Sequence, residues 1–519
     1  MKNLICILFF KWTLAYSQTP SIEWAKCYGG SKGDYGQNVF FTTDSGFLLT
    51  GYTYSNDSQV TGNHASSGYA DYWIVKTDSL GNIEWQKCLG GTNDDQAFSG
   101  VQTFDGGYII AGNSKSNDGD VTGSHGGADY WVVKLDAVGT MQWQKAYGGG
   151  GDDFAYSIEQ TFDSGFVVAG RTGSGDGDVT NNNGFEDYWI VKIDSIGNIE
   201  WQKSYGGTQN DGAYSIKQTT DSGYVVAGSA ASNDSDVTGS NGGEDYWILK
   251  LTPVGDMQWQ KTFGGSSQEK CHSIRQTVDG GYILGGYSSS NNGDVTSNYG
   301  YDDYWLVKIT SSGNLEWQKN FGGSGEDYGR GVIQTLDGGF EMIAEITSGD
   351  LDASCNQHLG TAEYFLVKTN NNGVLEWQKC MGGSFGDFCR GFVETITGPA
   401  ILGYSGSHDG DVTGNHLNQD YWLIKLTMTG SGITDEKESG FSAYPNPFSG
   451  TLNIFFEYAE GKIQFDIFNC FGEKVFTKDS MEKNVEIDLS FLRNGIYILC
   501  CQNNGKVFNR KLVKLQDNK

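Results

Sequence analysis

Asp-Tyr-Trp begins at Asp71 and returns at Asp129, Asp187, Asp245, Asp303 and Asp420, with Glu363-Tyr364-Phe365 as a weaker copy. A second phrase, Trp-x-Lys, recurs at Trp24, Trp85, Trp143, Trp201, Trp259, Trp317 and Trp377. The step is about 58 residues, a period that calls for a repeat architecture before any other fold is considered. Each copy holds four short alternating segments, which in the third are 156–161, 165–170, 187–194 and 199–206. Asp163-Ser164-Gly165 and Ser195-Ile196-Gly197-Asn198 are hairpin turns, so the unit reads as a four-stranded antiparallel meander. Four strands in a unit of this length describe one blade of a β-propeller.

Both phrases occur seven times, but out of step. The first Trp-x-Lys strand, 22–30, stands before any complete unit, and the last unit stops at 420–426 without one. A closed ring accounts for both, with the N-terminal strand completing the last blade. A linear solenoid would leave sheet edges open and would need polar capping repeats, which are absent from the sequence. The expected fold class is all-β: a seven-bladed β-propeller of four-stranded blades closed by the N-terminal strand, followed by a small C-terminal β-sandwich.

Thirteen of the fourteen tryptophans occupy the two repeat positions. A tryptophan ladder could stack sugar rings, but in Ile-Glu-Trp-Gln-Lys the alternation sets Trp on one face and Glu and Gln on the other, as in a half-buried outer strand. Each aromatic buries ~150–250 Å², so core packing between blades is the expectation. The stretch 134–143 is similar to the tryptophan-docking repeats of quinoprotein propellers, one residue short between Asp136 and Gly139. Later copies carry Thr252, Thr310 and Thr427 in place of the Asp, so the resemblance supports a propeller without implying a quinone cofactor.

A formal charge of -28 argues against nucleic acid and anionic membranes, both of which need clustered Lys and Arg. Residues 1–17, with Lys2, an apolar Leu4–Phe10 run and Ala15-Tyr16-Ser17, read as a secretory signal peptide, and no later segment approaches the ~20 apolar residues of a membrane helix. Ten cysteines in an exported chain would suggest disulfides, yet their placement argues against a framework. Cys271 and Cys389 share a position held elsewhere by Gly or Ala, and Cys27, Cys88 and Cys380 share another. Cys500 and Cys501 would point to opposite faces of a strand.

The long connections, such as 114–128 and 407–419, and the Gly-Gly turns between units belong to one face of the ring, which is acidic and is where function is expected. Asp118, Asp120, Asp409 and Asp411 are the candidate calcium ligands, although EF-hand spacing is missing and turn capping by Asp suits them better. His64, His125 and His416 share a repeat position, but equivalent loops on separate blades diverge too far for one zinc ion. No nucleophile triad or phosphate-binding loop is present. An enzyme should break the repeat with unique polar residues converging on the axis, whereas the units look mostly uniform. Blade six is the exception, with Glu341, Glu345 and His358.

Past the ring (18–429) a polar linker (430–440) leads to a different domain, 441–519. Tyr444-Pro445-Asn446-Pro447, the turn around Gly472, the 488–499 stretch with Gly495 and Tyr497, and the closing Lys511-Leu512-Val513-Lys514 lie there in order. This segment resembles the type A C-terminal sorting domain of type IX secretion cargo. Asn469 stands where such domains often carry Asp. The resemblance implies recognition by the outer-membrane translocon and removal by a sorting peptidase. The expected protein is a secreted or cell-surface, non-enzymatic propeller, without a required cofactor, binding an extracellular glycan or protein. The alternative is a secreted polysaccharide hydrolase or lyase using acids of the loop face.

Overall fold

In the computed structural model, hydrogen bonding gathers the repeat strands into seven four-stranded sheets whose spatial order follows the chain. The residues described are 19–427, apart from 66, 67, 336 and 396, and 441–514, apart from 445–447, 457–460, 470–473, 491, 493, 494, 504 and 505. The signal peptide and linker expected at 1–17 and 430–440 lie outside them. A representative blade runs through Asp153–Gln160, Phe166–Thr172, Asp187–Ile193 and Ile199–Tyr205, from the innermost strand to the outermost. Neighbouring innermost strands lie side by side around the axis.

Ring closure is as the offset of the two phrases requires. Ser21–Tyr28 pairs antiparallel with Asp420–Thr427, placing Ala25 opposite Ile424 and Tyr28 opposite Tyr421. The first strand of the chain is thereby the outermost strand of the last blade.

The third strand of each blade is buried along its whole length, because both faces pack on neighbouring blades. Its Trp side chains, Trp73, Trp131, Trp189, Trp247, Trp305 and Trp422, are fully buried. The adjacent Tyr reaches one blade further. Tyr72 Oη donates to the Trp131 carbonyl at 2.9 Å, and Tyr130, Tyr188 and Tyr246 repeat the bond to Trp189, Trp247 and Trp305. Each ring also meets the next Trp at about 4.5 Å between centroids, close enough for an aromatic pair. Tyr421 completes the circle on Trp73 at 2.8 Å. The exception follows from sequence: Phe365 replaces Trp in blade six, and Tyr304 turns to the Gly331 carbonyl at 3.1 Å.

The outer-strand tryptophans Trp24, Trp85, Trp143, Trp201, Trp259 and Trp317 are half-buried and pack on the turn of the following blade, while Trp377 is buried. A Cβ added to Gly81, whose φ is +74°, would lie 2.8 Å from the Trp24 ring, so both backbone conformation and packing require glycine there. In the first six blades the buried Lys of the third strand is neutralised locally. Lys76 meets Asp44 and Glu84, both at 2.8 Å.

Among the described residues one disulfide forms, Cys355 to Cys380 in blade six, a single bond rather than a framework. Comparison of repeats grouped Cys380 with Cys27 and Cys88 and could not reveal its partner. Cys355 lies beside a short 3₁₀ turn, Leu351–Ala353, in the loop that blade six alone carries. Cys27, Cys88, Cys271 and Cys389 are free and buried.

The chain divides into two compact units, Met1–Met428 and Thr429–Lys519. In the second, the strands Phe441–Tyr444, Thr451–Phe456 and Asn484–Asp488 form one sheet. Lys474–Ser480, Ile463–Asn469, Gly495–Asn503 and Lys506–Lys514 form the other. Leu452, Ile454, Phe465, Leu499 and Leu512 share the core between them, making a small β-sandwich.

Deleting 22–28 should leave Asp420–Thr427 as an open sheet edge and take Trp24 from Gly81. Scanning calorimetry should show the ring melting on the order of 10 °C lower or worse. An unchanged transition would mean that this strand does not close the ring.

Candidate functional site

Two buried carboxyl groups per blade organise the loop face. One begins the innermost strand (Asp34, Asp95, Asp153, Asp211, Glu269, Asp327, Asp387) and the other begins the third (Asp71, Asp129, Asp187, Asp245, Asp303, Glu363, Asp420), and all are almost completely buried. Asp95 shows what the first set does. It accepts the Gly91 N–H at 2.7 Å and the Ser116 hydroxyl at 2.8 Å, tying the turn between blades to the long loop. The first glycine of each turn fits between members of the two sets: a Cβ on Gly90 would stand 2.5 Å from Asp71 Oδ1 and 2.6 Å from Asp95 Oδ2.

The sequence-predicted calcium ligands serve the same joint. Asp118 accepts the Thr92 N–H at 2.8 Å and its hydroxyl at 2.9 Å, and Asp409 accepts the Ser384 N–H at 2.7 Å. Asp120 and Asp411 donate their own N–H groups to the Gly90 and Gly382 carbonyls, both at 2.9 Å. Among the described residues no group of three or more His, Cys, Asp or Glu side chains is placed to hold one metal ion. Each of the three histidines that share a repeat position turns to the buried Asp of its own blade: His64 to Asp71 at 3.1 Å, His125 to Asp129 at 3.6 Å, and His416 to Asp420 at 2.6 Å. His358 does likewise with Glu363 at 2.5 Å.

The repeats stop being uniform at the axis. One and three residues after the first buried acid, each innermost strand carries a different pair: Tyr35 and Gln37, Gln96 and Phe98, Phe154 and Tyr156, Gly212 and Tyr214, Lys270 and His272, Tyr328 and Arg330, Phe388 and Arg390. Except for the buried Gly212, these side chains are half-buried. Phe98, Tyr156, Tyr214 and His272 follow one another at 5.1 to 5.4 Å between ring centroids. His272 Nε2 approaches Arg330 at 3.4 Å, and Arg330 pairs with Glu345 at 3.0 Å. Arg390 pairs with the same Glu345 and donates to the Tyr404 hydroxyl at 2.8 Å. Tyr404, Tyr35, Tyr52 and Phe98 then complete a closed girdle.

Charge is concentrated there too. Residues 18–429 contain only four arginines, Arg171, Arg275, Arg330 and Arg390, and all lie on the two strands of a blade nearest the axis. Arg171 packs over Phe154, 4.8 Å from the ring centroid, and pairs with Glu186 at 3.0 Å. Gly212 leaves a cavity of about 60 Å³ beside Arg171, Tyr214, Glu244 and Lys270. Burial and the neighbouring Arg330 pull the Arg390 guanidinium down to about 10. Burial, with Arg330, holds the His272 imidazole far below its usual range and hence neutral.

Uniformity at the axis was therefore the wrong expectation. Of the blade-six residues singled out in the sequence, Glu345 joins the girdle. Glu341 is buried on the same strand, Phe340–Ile346, and burial pushes its carboxyl up to about 7. The missed signal was available: after the acid that begins each innermost strand, the residues vary in every copy while their neighbours repeat.

Of the sorting motif, Tyr444 is exposed at the end of its strand, Tyr497 is buried in the sandwich, Gly495 opens the strand Gly495–Asn503, and Lys511 lies opposite Ile498. Pro445, Asn446, Pro447 and Gly472 lie outside the described residues.

Residues 442–515 match the family model of the secretion system C-terminal sorting domain. The chain therefore ends in a type IX sorting domain, and the protein is secreted or anchored at the outer cell surface after handling by that machinery. No helix among the described residues is long and apolar enough to cross a membrane. The regulatory protein FlaEY of Caulobacter vibrioides is 23% identical over 387 residues, 67% of this chain, which spans only 39% of that relative. Among solved structures, a fungal alcohol oxidase in complex with copper aligns with a TM-score of 0.46 at 10% identity, over 96% of this chain and 100% of its own. Puromycin hydrolase aligns with 0.44 at 11%, over 83% and 61%. A variant of the Synechocystis apocarotenoid oxygenase aligns with 0.37 at 11%, over 71% and 95%.

The buried acids set a pH dependence. Burial raises Asp34, Asp187 and Asp303 to about 7 and Asp71, Asp245 and Asp387 to about 6. A raised folded-state value means stability that is full below the ordinary carboxyl range and is lost as pH climbs through 6 to 7. The turn acids Asp44, Asp163 and Asp279 are partly buried, yet hydrogen bonds and a lysine hold them low, so their contribution is lost in stronger acid. Melting temperature should peak near about pH 4–5 and fall towards pH 8. Asp303→Asn should flatten that fall, and a melting temperature that rises steadily from pH 4 to 8 would contradict this account.

Proposed function

We propose that the secreted ring is a non-enzymatic carbohydrate-binding protein whose ligand enters the axis from the long-loop side and seats on the girdle. The observation that carries this is the contrast within each repeat. Packing positions are nearly invariant from blade to blade, whereas the axial positions hold one coordinated set of tyrosines, phenylalanines, arginines and a histidine. Half-open aromatic faces suit the C–H faces of sugar rings, and the hydroxyl and guanidinium donors between them suit sugar oxygens.

Binding is favoured over hydrolysis by the state of Glu345. Glycoside hydrolysis calls for two carboxyl groups flanking the bond, one of them free to deliver a proton. Glu345 is the one carboxylate in the girdle circuit, and it is engaged by both Arg330 and Arg390. Of the other acids, Asp95, Asp118 and Asp409 are spent on N–H and hydroxyl groups of the blade joints, and Glu186 and Glu244 on Arg171 and Lys270. Export supports an extracellular ligand.

The test is a panel of soluble polysaccharides with the mature protein, reading both retention and chain length. Retention without new chain ends is expected, and Tyr35→Ala should weaken it by about tenfold, or ~1.4 kcal/mol. Release of shorter products would favour the hydrolase or lyase instead. Delivery is tested separately: removing 441–519 should leave a folded ring in the periplasm of a type IX-competent host, and surface delivery of that truncation would refute the role given to the tail.

A further inference from the structure

We propose that the girdle selects a sugar bearing a single carboxylate, held by Arg330 and Arg390, on an otherwise neutral glycan. This rests on the carbohydrate reading above and adds the charge of the ligand to it.

The first ground is an imbalance of charge. Lys270 has Glu244 at 2.8 Å and Arg171 has Glu186 at 3.0 Å, one acid for each base. At blades six and seven, two guanidiniums share Glu345. That carboxylate is buried, whereas the Arg330 and Arg390 side chains remain 21% and 19% exposed. One positive charge is left over, partly desolvated and open to the axis. Burial, and after it the neighbouring Arg330, draws Arg390 down, so an anion that approaches the pair is favourable to it. His272, held neutral beside Arg330, offers hydrogen bonding without adding charge.

The second ground is geometry. A planar guanidinium presents paired N–H groups that match a carboxylate in two parallel bonds. Tyr404 and Tyr328 lie against the two guanidiniums, with the Arg390 carbon 5.1 Å and the Arg330 carbon 5.9 Å from their ring centroids. A pyranose carboxylate bound there sets its sugar ring against tyrosine faces. A peptide C-terminus would instead ask for an apolar side-chain pocket next to the guanidiniums, where the girdle supplies phenol rings.

The third ground is the field around the entrance. The protein carries a formal charge of -28, and exposed Asp57, Asp118, Asp176, Asp234 and Asp409 belong to the long loops. Such a rim repels a polyanion before it can reach the axis. A ligand that satisfies one buried-side cation and passes an acidic rim carries its negative charge at one place.

Isothermal titration of the mature chain decides this with five probes of similar length: a neutral oligosaccharide tipped with glucuronic acid, the same molecule with its carboxyl reduced, an oligogalacturonate, a neutral oligosaccharide tipped with one sulfate, and a short peptide with a free C-terminus. The acid-tipped probe should bind at least about tenfold tighter than the reduced one and tighter than the other three. Arg390→Gln should erase the difference between acid and reduced forms, Arg390→Lys should keep part of it, and Arg275→Gln at the far end of the axis should leave it intact. If Arg390→Gln does not fold, the wild-type comparison of the acid and reduced probes decides alone. Equal affinity for the acid and reduced probes would overturn the charge inference and leave carbohydrate binding standing. Preference for the oligogalacturonate or the sulfate would overturn the single-carboxylate assignment. Binding of the peptide alone, or of no probe, would overturn both readings.

Discussion

Each blade is held to the next by a tyrosine that crosses the interface to stack on a buried tryptophan and donate to its carbonyl. That one contact does two jobs. The aromatic pair supplies apolar burial in the gap between sheets, and the hydroxyl bond fixes how far one sheet is displaced and turned relative to its neighbour. Because Tyr and Trp are adjacent in sequence and point to opposite faces of the same strand, each blade is both donor and acceptor of the latch. A strand of this kind cannot satisfy itself, so the sequence demands a circle. The circle accepts one irregular member, where Phe365 offers no indole and Tyr304 finds another carbonyl.

The same latch explains how much of the molecule could be read in advance. Blade number, strand order and closing strand followed from counting two phrases, because residues that hold a ring together must be the same in every unit. The C-terminal sandwich was equally plain, since Leu452, Ile454 and Phe465 alternate as a two-sheet core must. The candidate site was obscured by the very device that made the fold legible. Repeats draw attention to what recurs, and residues such as Arg330 and Tyr214 are informative because they do not. His64, His125 and His416 suggested a metal by recurring, and the structure gives that recurrence a joint-building cause in the buried acid beside each of them. The partner of Cys380 was hidden because it lies in a loop outside the period.

Charge is handled in two ways. In the body of each blade it is cancelled on the spot, as where Lys192 meets Asp163 and Glu200. The last blade is the weak instance: its turn lacks the usual Asp, Lys425 has Glu23 at 3.8 Å with Glu394 acting beside it, and burial lowers its ammonium to about 8. At the axis, by contrast, two guanidiniums share one carboxylate. A ring so acidic could have scattered its four arginines over the surface for solubility, and their confinement to strands beside the axis is a departure from that pattern.

The closing strand also imposes an order in time. Ala25 is made among the first residues of the ring, yet its partner Ile424 follows about 400 residues later, so the earliest strand must wait for nearly the last. Until then the nascent chain is a row of blades with an unsealed seam, the kind of intermediate that pairs with the wrong neighbour when crowded. The sorting domain begins only some way past that final strand. A chain broken off before Asp420 therefore lacks both the means to seal and the label for departure, and the layout of the polypeptide makes readiness to leave depend on having everything needed to finish.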